Sequence, residues 1–194
     1  MYSPPSAPTC TLCPKGFSTA DVGSSTCTAC IAGTYQSVTG SSSCSSCEIG
    51  KAQPASGQSE CSPCDLGKYA STTASTSCSE CIAGTYQNVT GSSSCSSCAL
   101  GKAQPASGQS SCDACEHGKY ASITGKSSCS ECDAGKYQGK EEQSSCDECE
   151  EGSFSASTGS VECSLCPMGE IAPNSSSTSC QTCVSPETTS AQGL

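Results

Sequence analysis

Twenty-two of the 194 residues are cysteine, and they come as eleven Cys-x-x-Cys pairs. The first members are Cys10, Cys27, Cys44, Cys61, Cys78, Cys95, Cys112, Cys129, Cys146, Cys163 and Cys180. They recur at one constant step, without an insertion anywhere, and define a 17-residue repeat. Paired thiols at this spacing can do three kinds of chemistry. They can hold tetrahedral zinc, two pairs to a site. They can act as a redox dithiol where a helix N-terminus or basic neighbour lowers one thiol's pKa. They can also be oxidised to structural disulfides. Eleven nearly equal copies make no pair special, which argues against redox catalysis. An array of four-cysteine zinc sites would strand one pair of the eleven. It would also lack the basic surface of a zinc module, so it is the weaker reading.

Other side chains offer little chemistry. His117 is the sole histidine, and its column in the repeat holds ordinary residues elsewhere, so it reads as a solvent-facing side chain. No nucleotide-binding loop or serine triad is present, and the chain is read as a non-enzyme with no resident cofactor. Glu131, Asp133, Glu141, Glu142, Asp147, Glu148, Glu150 and Glu151 make one strongly acidic stretch, the one place that could hold calcium. No EF-hand spacing accompanies it, and a solvated acidic face is the preferred reading. Lys51, Lys68, Lys102, Lys119 and Lys136 each directly follow a glycine. They read as a solvated column, with a weak docking stripe for an acidic neighbour as the alternative.

The elements that position these residues must be built from a poor set of hydrophobes. Nearly a third of the chain is Ser or Thr, and there is no Trp. Such a chain cannot offset its conformational entropy by burial, so cross-links must supply the order. The net charge of −10 with no arginine disfavours nucleic acid and anionic membrane surfaces. No apolar run approaches the roughly 20 residues of a membrane span, so membrane insertion of this segment is not expected. The N-terminus, Met1-Tyr2-Ser3-Pro4-Pro5, lacks the pattern of a signal peptide, which suggests a mature piece or an excerpt of a longer chain.

Each unit has the same internal grammar. A Gly stands three residues after the second cysteine in ten of eleven copies, as at Gly16, Gly33, Gly50 and on to Gly169. Two residues further sits an aromatic in six copies: Tyr35, Tyr69, Tyr86, Tyr120, Tyr137 and Phe154. A second Gly follows seven residues after the first at Gly23, Gly40, Gly57, Gly91, Gly108, Gly125 and Gly159, and reads as a hairpin turn. No stretch has helical periodicity. The fold class expected is a small disulfide-rich repeat: an elongated rod or solenoid of short β-hairpin units, with little or no helix. The domain reading is an N-terminal tail 1–9, the array 10–183 and a C-terminal tail 184–194. Residues 27–60 and 78–111 match at 28 of 34 positions, marking a 51-residue super-repeat.

Translational symmetry narrows the pairing to two schemes. One joins the second cysteine of a pair to the first of the next: Cys13–Cys27, Cys30–Cys44, Cys47–Cys61, Cys64–Cys78, Cys81–Cys95, Cys98–Cys112, Cys115–Cys129, Cys132–Cys146, Cys149–Cys163 and Cys166–Cys180. The other joins first to second, as in Cys10–Cys30, and interlocks the loops. The former is favoured because it staples the Gly, the aromatic and the turn into one ring. Each such ring would contribute ~3 kcal/mol by restricting the unfolded chain. Cys10 and Cys183 are then left over and are candidates for intermolecular bridges.

The unit, clearest at Cys78-Ser79-Glu80-Cys81-Ile82-Ala83-Gly84-Thr85-Tyr86-Gln87, resembles the ephrin-receptor-like cysteine-rich repeat of the growth-factor-receptor cysteine-rich superfamily. The resemblance runs from Cys10 to Cys183. It implies a spacer or adhesive stalk of large extracellular proteins. The single-disulfide hairpin is also similar to the simplest module of tumour-necrosis-factor-receptor ectodomains, which supports the first pairing scheme. The function expected is an extracellular structural protein: a stalk, wall element or filament subunit, secreted or on the outer cell surface. A ligand-binding receptor or adhesin ectodomain is the alternative. Partners expected are other copies or other extracellular matrix and surface proteins. Attached glycans are expected too, because both asparagines, Asn88 and Asn174, lie in acceptor sequons.

Overall fold

The computed structural model describes residues 11–21, 24 and 26–183. Among these residues there is no helix, and twenty two-residue strands pair into ten separate antiparallel hairpins. One hairpin shows how the sequence builds all of them. A tight turn over residues 31–34 closes with the Thr34 amide donating to the Ile31 carbonyl at 3.0 Å. Its third residue, Gly33, has φ +80°, the position a type II turn reserves for glycine. The chain then enters one strand at Thr34–Tyr35, loops outward and returns as a second at Ser45–Ser46. The register sets Thr34 opposite Ser46 and Tyr35 opposite Ser45. The return strand is therefore the pair of residues inside Cys-x-x-Cys. The outgoing strand is the lysine column followed by the aromatic column.

Isolated two-stranded ribbons of this length are not stable in water. Two devices hold these. Each is closed by a disulfide between cysteines 14 apart in sequence, such as Cys30–Cys44 with a Cα–Cα distance of 5.7 Å. Each is also tied to its successor by main-chain bonds. Gly33 donates to Gln53 at 2.8 Å, Gln36 to Gln58 at 3.2 Å, and Gly57 to Cys30 at 2.7 Å. The same three bonds recur from hairpin to hairpin within each of the two units described next. An inserted residue would break all three, which is the physical reason for the invariant step of the cysteines.

The described residues fall into two compact units. The first comprises the chain up to Ser97 with Ala106–Ser111, and the second comprises Cys98–Pro105 with everything from Cys112 on. Both have the same core. The second cysteine of nine pairs, from Cys13 to Cys149, is almost wholly buried, with Cys47, Cys81, Cys98, Cys115, Cys132 and Cys149 at 0% exposure, whereas Cys166 is partly buried and Cys183 exposed. Small residues complete it, including Ala52, Ala70, Ala103, Ala121 and Ala172. Large apolar side chains lie outside: Ile31, Ile82 and Leu165 are 70%, 71% and 81% exposed. The core is thus sulfur and methyl groups, and cross-linking rather than burial dominates stability.

Candidate functional site

Ten disulfides join the second cysteine of each pair to the first of the next, from Cys13–Cys27 to Cys166–Cys180. That is the first of the two schemes open to symmetry. It leaves no thiolate on those twenty sulfurs for a four-cysteine zinc site. Cys10 lies outside the described residues. Cys183 is a free, exposed thiol, although its amide still donates to Gly169 at 2.8 Å like its counterparts upstream.

The lysine column is internally neutralised. Lys51 meets Glu48 at 3.0 Å, Lys68 meets Glu80 at 3.7 Å and Lys102 meets Glu142 at 3.2 Å. Lys119 meets Glu116 at 3.6 Å, and Lys136 meets Glu148 at 3.4 Å. Two of these pairs, Lys68 with Glu80 and Lys136 with Glu148, stand directly opposite each other in the strand register. The hydrogen bond and negative charge of Glu48 raise the pKa of Lys51, so its ammonium stays charged. Exposed pairs of this kind contribute little individually, but they leave the column no surplus positive charge for an acidic neighbour.

The acidic stretch does not converge. Glu142 and Glu148 serve lysines, Glu131 accepts from the Thr158 hydroxyl at 3.1 Å, and Glu141 lies 3.8 Å from the exposed His117. Among the described residues, no three His, Cys, Asp or Glu side chains gather as metal ligands. Hollows between consecutive hairpins combine an aromatic ring with one ammonium and nearby carboxylates, as with Tyr35, Glu48, Lys51 and Glu60.

Two features escape sequence reasoning. The first is a glutamine clamp. Gln87 lies three residues after its unit's first glycine and is 8% exposed. Its Nε2 donates to the Ser94 carbonyl at 2.7 Å, and its Oε1 accepts from the Val89 amide at 3.0 Å. Gln36, Gln53 and Gln138 repeat the motif. Three hairpins spaced three apart replace the glutamine by a buried alanine, at Ala70, Ala121 and Ala172, in step with the 51-residue super-repeat. The glutamines were visible at a fixed distance from the glycine and could have been found there. The second feature is the left-handed backbone at Ala74, Glu142 and Ser176, with φ of 57°, 61° and 59°. These residues occupy the second-glycine column in the hairpins that lack that glycine.

Both sequon asparagines are exposed. Among the described residues no helix is long and apolar enough to cross a membrane.

Comparison with known families matches the model described as tyrosine-protein kinase ephrin type A/B receptor-like. It matches eight times in overlapping register, at residues 1–47, 18–57, 33–81, 50–98, 67–115, 84–125, 118–162 and 152–193. The chain belongs to the ephrin-receptor-like repeat family. Successive matches begin about one or two hairpins apart, as expected where one hairpin is the unit. Ephrin-receptor-like repeats are modules of the receptor-ectodomain type and are not catalytic. Ten consecutive disulfides in repeats of this family fit an extracellular repeat region. No curated protein matches the chain.

Proposed function

We propose that this chain is a structural spacer of the extracellular space: a stalk, wall element or filament subunit whose length is set by the number of hairpins. One observation supports it above others. Within each unit, hairpins are bonded at a fixed register to their successors, and Gly16, Gly33, Gly50, Gly67, Gly101, Gly118 and Gly135 each pack against the hairpin after that. A repeat so constrained transmits position along the chain, which is what a spacer needs. The free Cys183, with Cys10 as its counterpart, would link copies or neighbouring segments in a filament.

Small-angle scattering on the oxidised protein tests this reading. A spacer has a radius of gyration well above the ~16 Å of a globular chain of this length. A value near ~16 Å would remove it. An adhesin or receptor segment is the second reading. It is favoured by the exposed Ile31, Ile49, Leu66 and Ile82 beside the first glycines of four consecutive hairpins. Saturable binding to an extracellular protein, lost on Ile31→Ser with Ile82→Ser, would replace the spacer reading with that one.

A further inference from the structure

We propose that Asn88, together with Asn174, is a site of N-linked glycosylation, so that the hairpin loops carry oligosaccharide. This inference rests on the extracellular reading above. Only two asparagines exist in the chain, and they stand in Asn88-Val89-Thr90 and Asn174-Ser175-Ser176. Both have the hydroxyl two residues on that the transfer reaction requires.

The fold aims these side chains outward. Gln87 turns inward, and its amide is held by Ser94 and Val89. Its neighbour Asn88 must then project the other way, and it is exposed, as are Val89 and Thr90. The array supplies its own control, because the residue equivalent to Asn88 is Ser37, Pro54, Ser71, Pro105, Ser122 or Gly139 in other hairpins. Each of these is exposed. No packing role fixes the side chain there, so a bulky substituent displaces nothing. Asn174 sits one position further along its loop, in the column of Val89 and two residues after the fully buried Ala172, and it too is exposed. Val89, 58% exposed, lies next to Asn88 and offers an apolar patch for the first sugar to cover.

The chemistry is a group transfer from a lipid-diphosphate-linked oligosaccharide. A bond forms between the asparagine Nδ2 and C1 of the first N-acetylglucosamine. The C1–O bond to the diphosphate breaks, and the Nδ2 proton leaves with the lipid diphosphate. No oxidant or reductant is needed.

The test expresses the full chain behind a secretion signal in a eukaryotic cell. Secreted protein is treated with a peptide N-glycanase in heavy-oxygen water, and Asn88 and Asn174 are read by peptide mass spectrometry as oxygen-labelled Asp. The wild type is expected to be labelled at both positions. Asn88→Gln and Thr90→Ala should each lose one glycan and still be secreted. Ser37→Asn, in the duplicated hairpin where Val38 and Thr39 already stand, should gain one. Secreted, fully disulfide-bonded protein with an unlabelled Asn88, or with no gain in Ser37→Asn, overturns the proposal and leaves the extracellular reading intact. Chain retained in the cell with free thiols overturns the extracellular reading and this proposal with it.

Discussion

Where both turns of a hairpin lie among the described residues they have the same left-handed backbone, and they tolerate substitution quite differently. The turn after the second cysteine holds Gly in every described hairpin, from Gly16 to Gly169. The turn in the outer loop holds Gly in most, but Ala74, Glu142 and Ser176 replace it and keep a positive φ. Backbone angle cannot explain the contrast, since Gly50 at +83° and Gly91 at +72° are both left-handed. Space can. A Cβ on Gly50 would collide with the carbonyl of Gly91, two hairpins on, and Gly33 stands in the same relation to Ala74. A Cβ on Gly91 would meet only the Pro63 side chain, at 3.5 Å. The first glycine is thus the floor on which a later loop sits. The second is only a bend, which an L-residue can adopt at moderate cost.

The two sides of one contact should therefore respond unequally. Gly50→Ala drives a methyl into a backbone carbonyl that cannot rotate away, so about 3 kcal/mol or more of local stability should be lost. Amide exchange of the ladder bonds around Gly50 should accelerate by over a hundredfold, at about tenfold per 1.4 kcal/mol. Gly91→Ala should cost only the left-handed strain, about 1–2 kcal/mol. Gly152 sharpens the comparison. It has φ +82° but nothing within 4 Å of a built Cβ among the described residues, so Gly152→Ala should resemble Gly91→Ala rather than Gly50→Ala. Equal effects at Gly50 and Gly152 would show that angle, not contact, selects glycine.

Smaller effects follow from what the outer loop is made of. Gln138→Ala removes bonds to the Ser145 carbonyl, 2.9 Å, and the Lys140 amide, 3.1 Å. It should cost about 1 kcal/mol, read as faster exchange at Lys140, because Ala121 and Ala172 show that the loop closes over a methyl. Ala74→Gly should move in the opposite direction. It relieves the left-handed strain at the price of a looser unfolded chain, for a net gain below about 1 kcal/mol. Slower exchange of the Ala74 amide, which donates to Cys47 at 2.8 Å, is the readout.

Much of this arrangement was legible in the sequence because a repeat states its rules eleven times. The cysteine step, the first-glycine column and the absence of helical period lead directly to stapled hairpins and to the family. Other features were harder to read. The outer-loop glycine looked optional at positions 74, 142 and 176, and nothing in the letters says that Ala, Glu and Ser there keep the same backbone. The lysine column read as a solvated surface, with its carboxylate partners out of view. Its partners sit at different offsets, Glu48 shortly before Lys51 but Glu142 more than two hairpins after Lys102, so no single spacing betrays them. The packing of first glycines such as Gly33 and Gly50 on a loop two hairpins further along is likewise a consequence of winding, which a linear sequence does not display.

The central claim is that every hairpin is its own disulfide ring, and one digest decides it. Glutamate-specific cleavage of the unreduced chain cuts after Glu48, Glu60, Glu80 and Glu116, which separates Cys78 from Cys81. With Cys47–Cys61 and Cys64–Cys78 in place, the fragment 61–80 stays attached to the fragment ending at Glu48 and comes free of 81–116. An interlocked scheme would instead tie 61–80 to 81–116 through Cys61–Cys81 and Cys78–Cys98. Recovery of that linked species would contradict the ring.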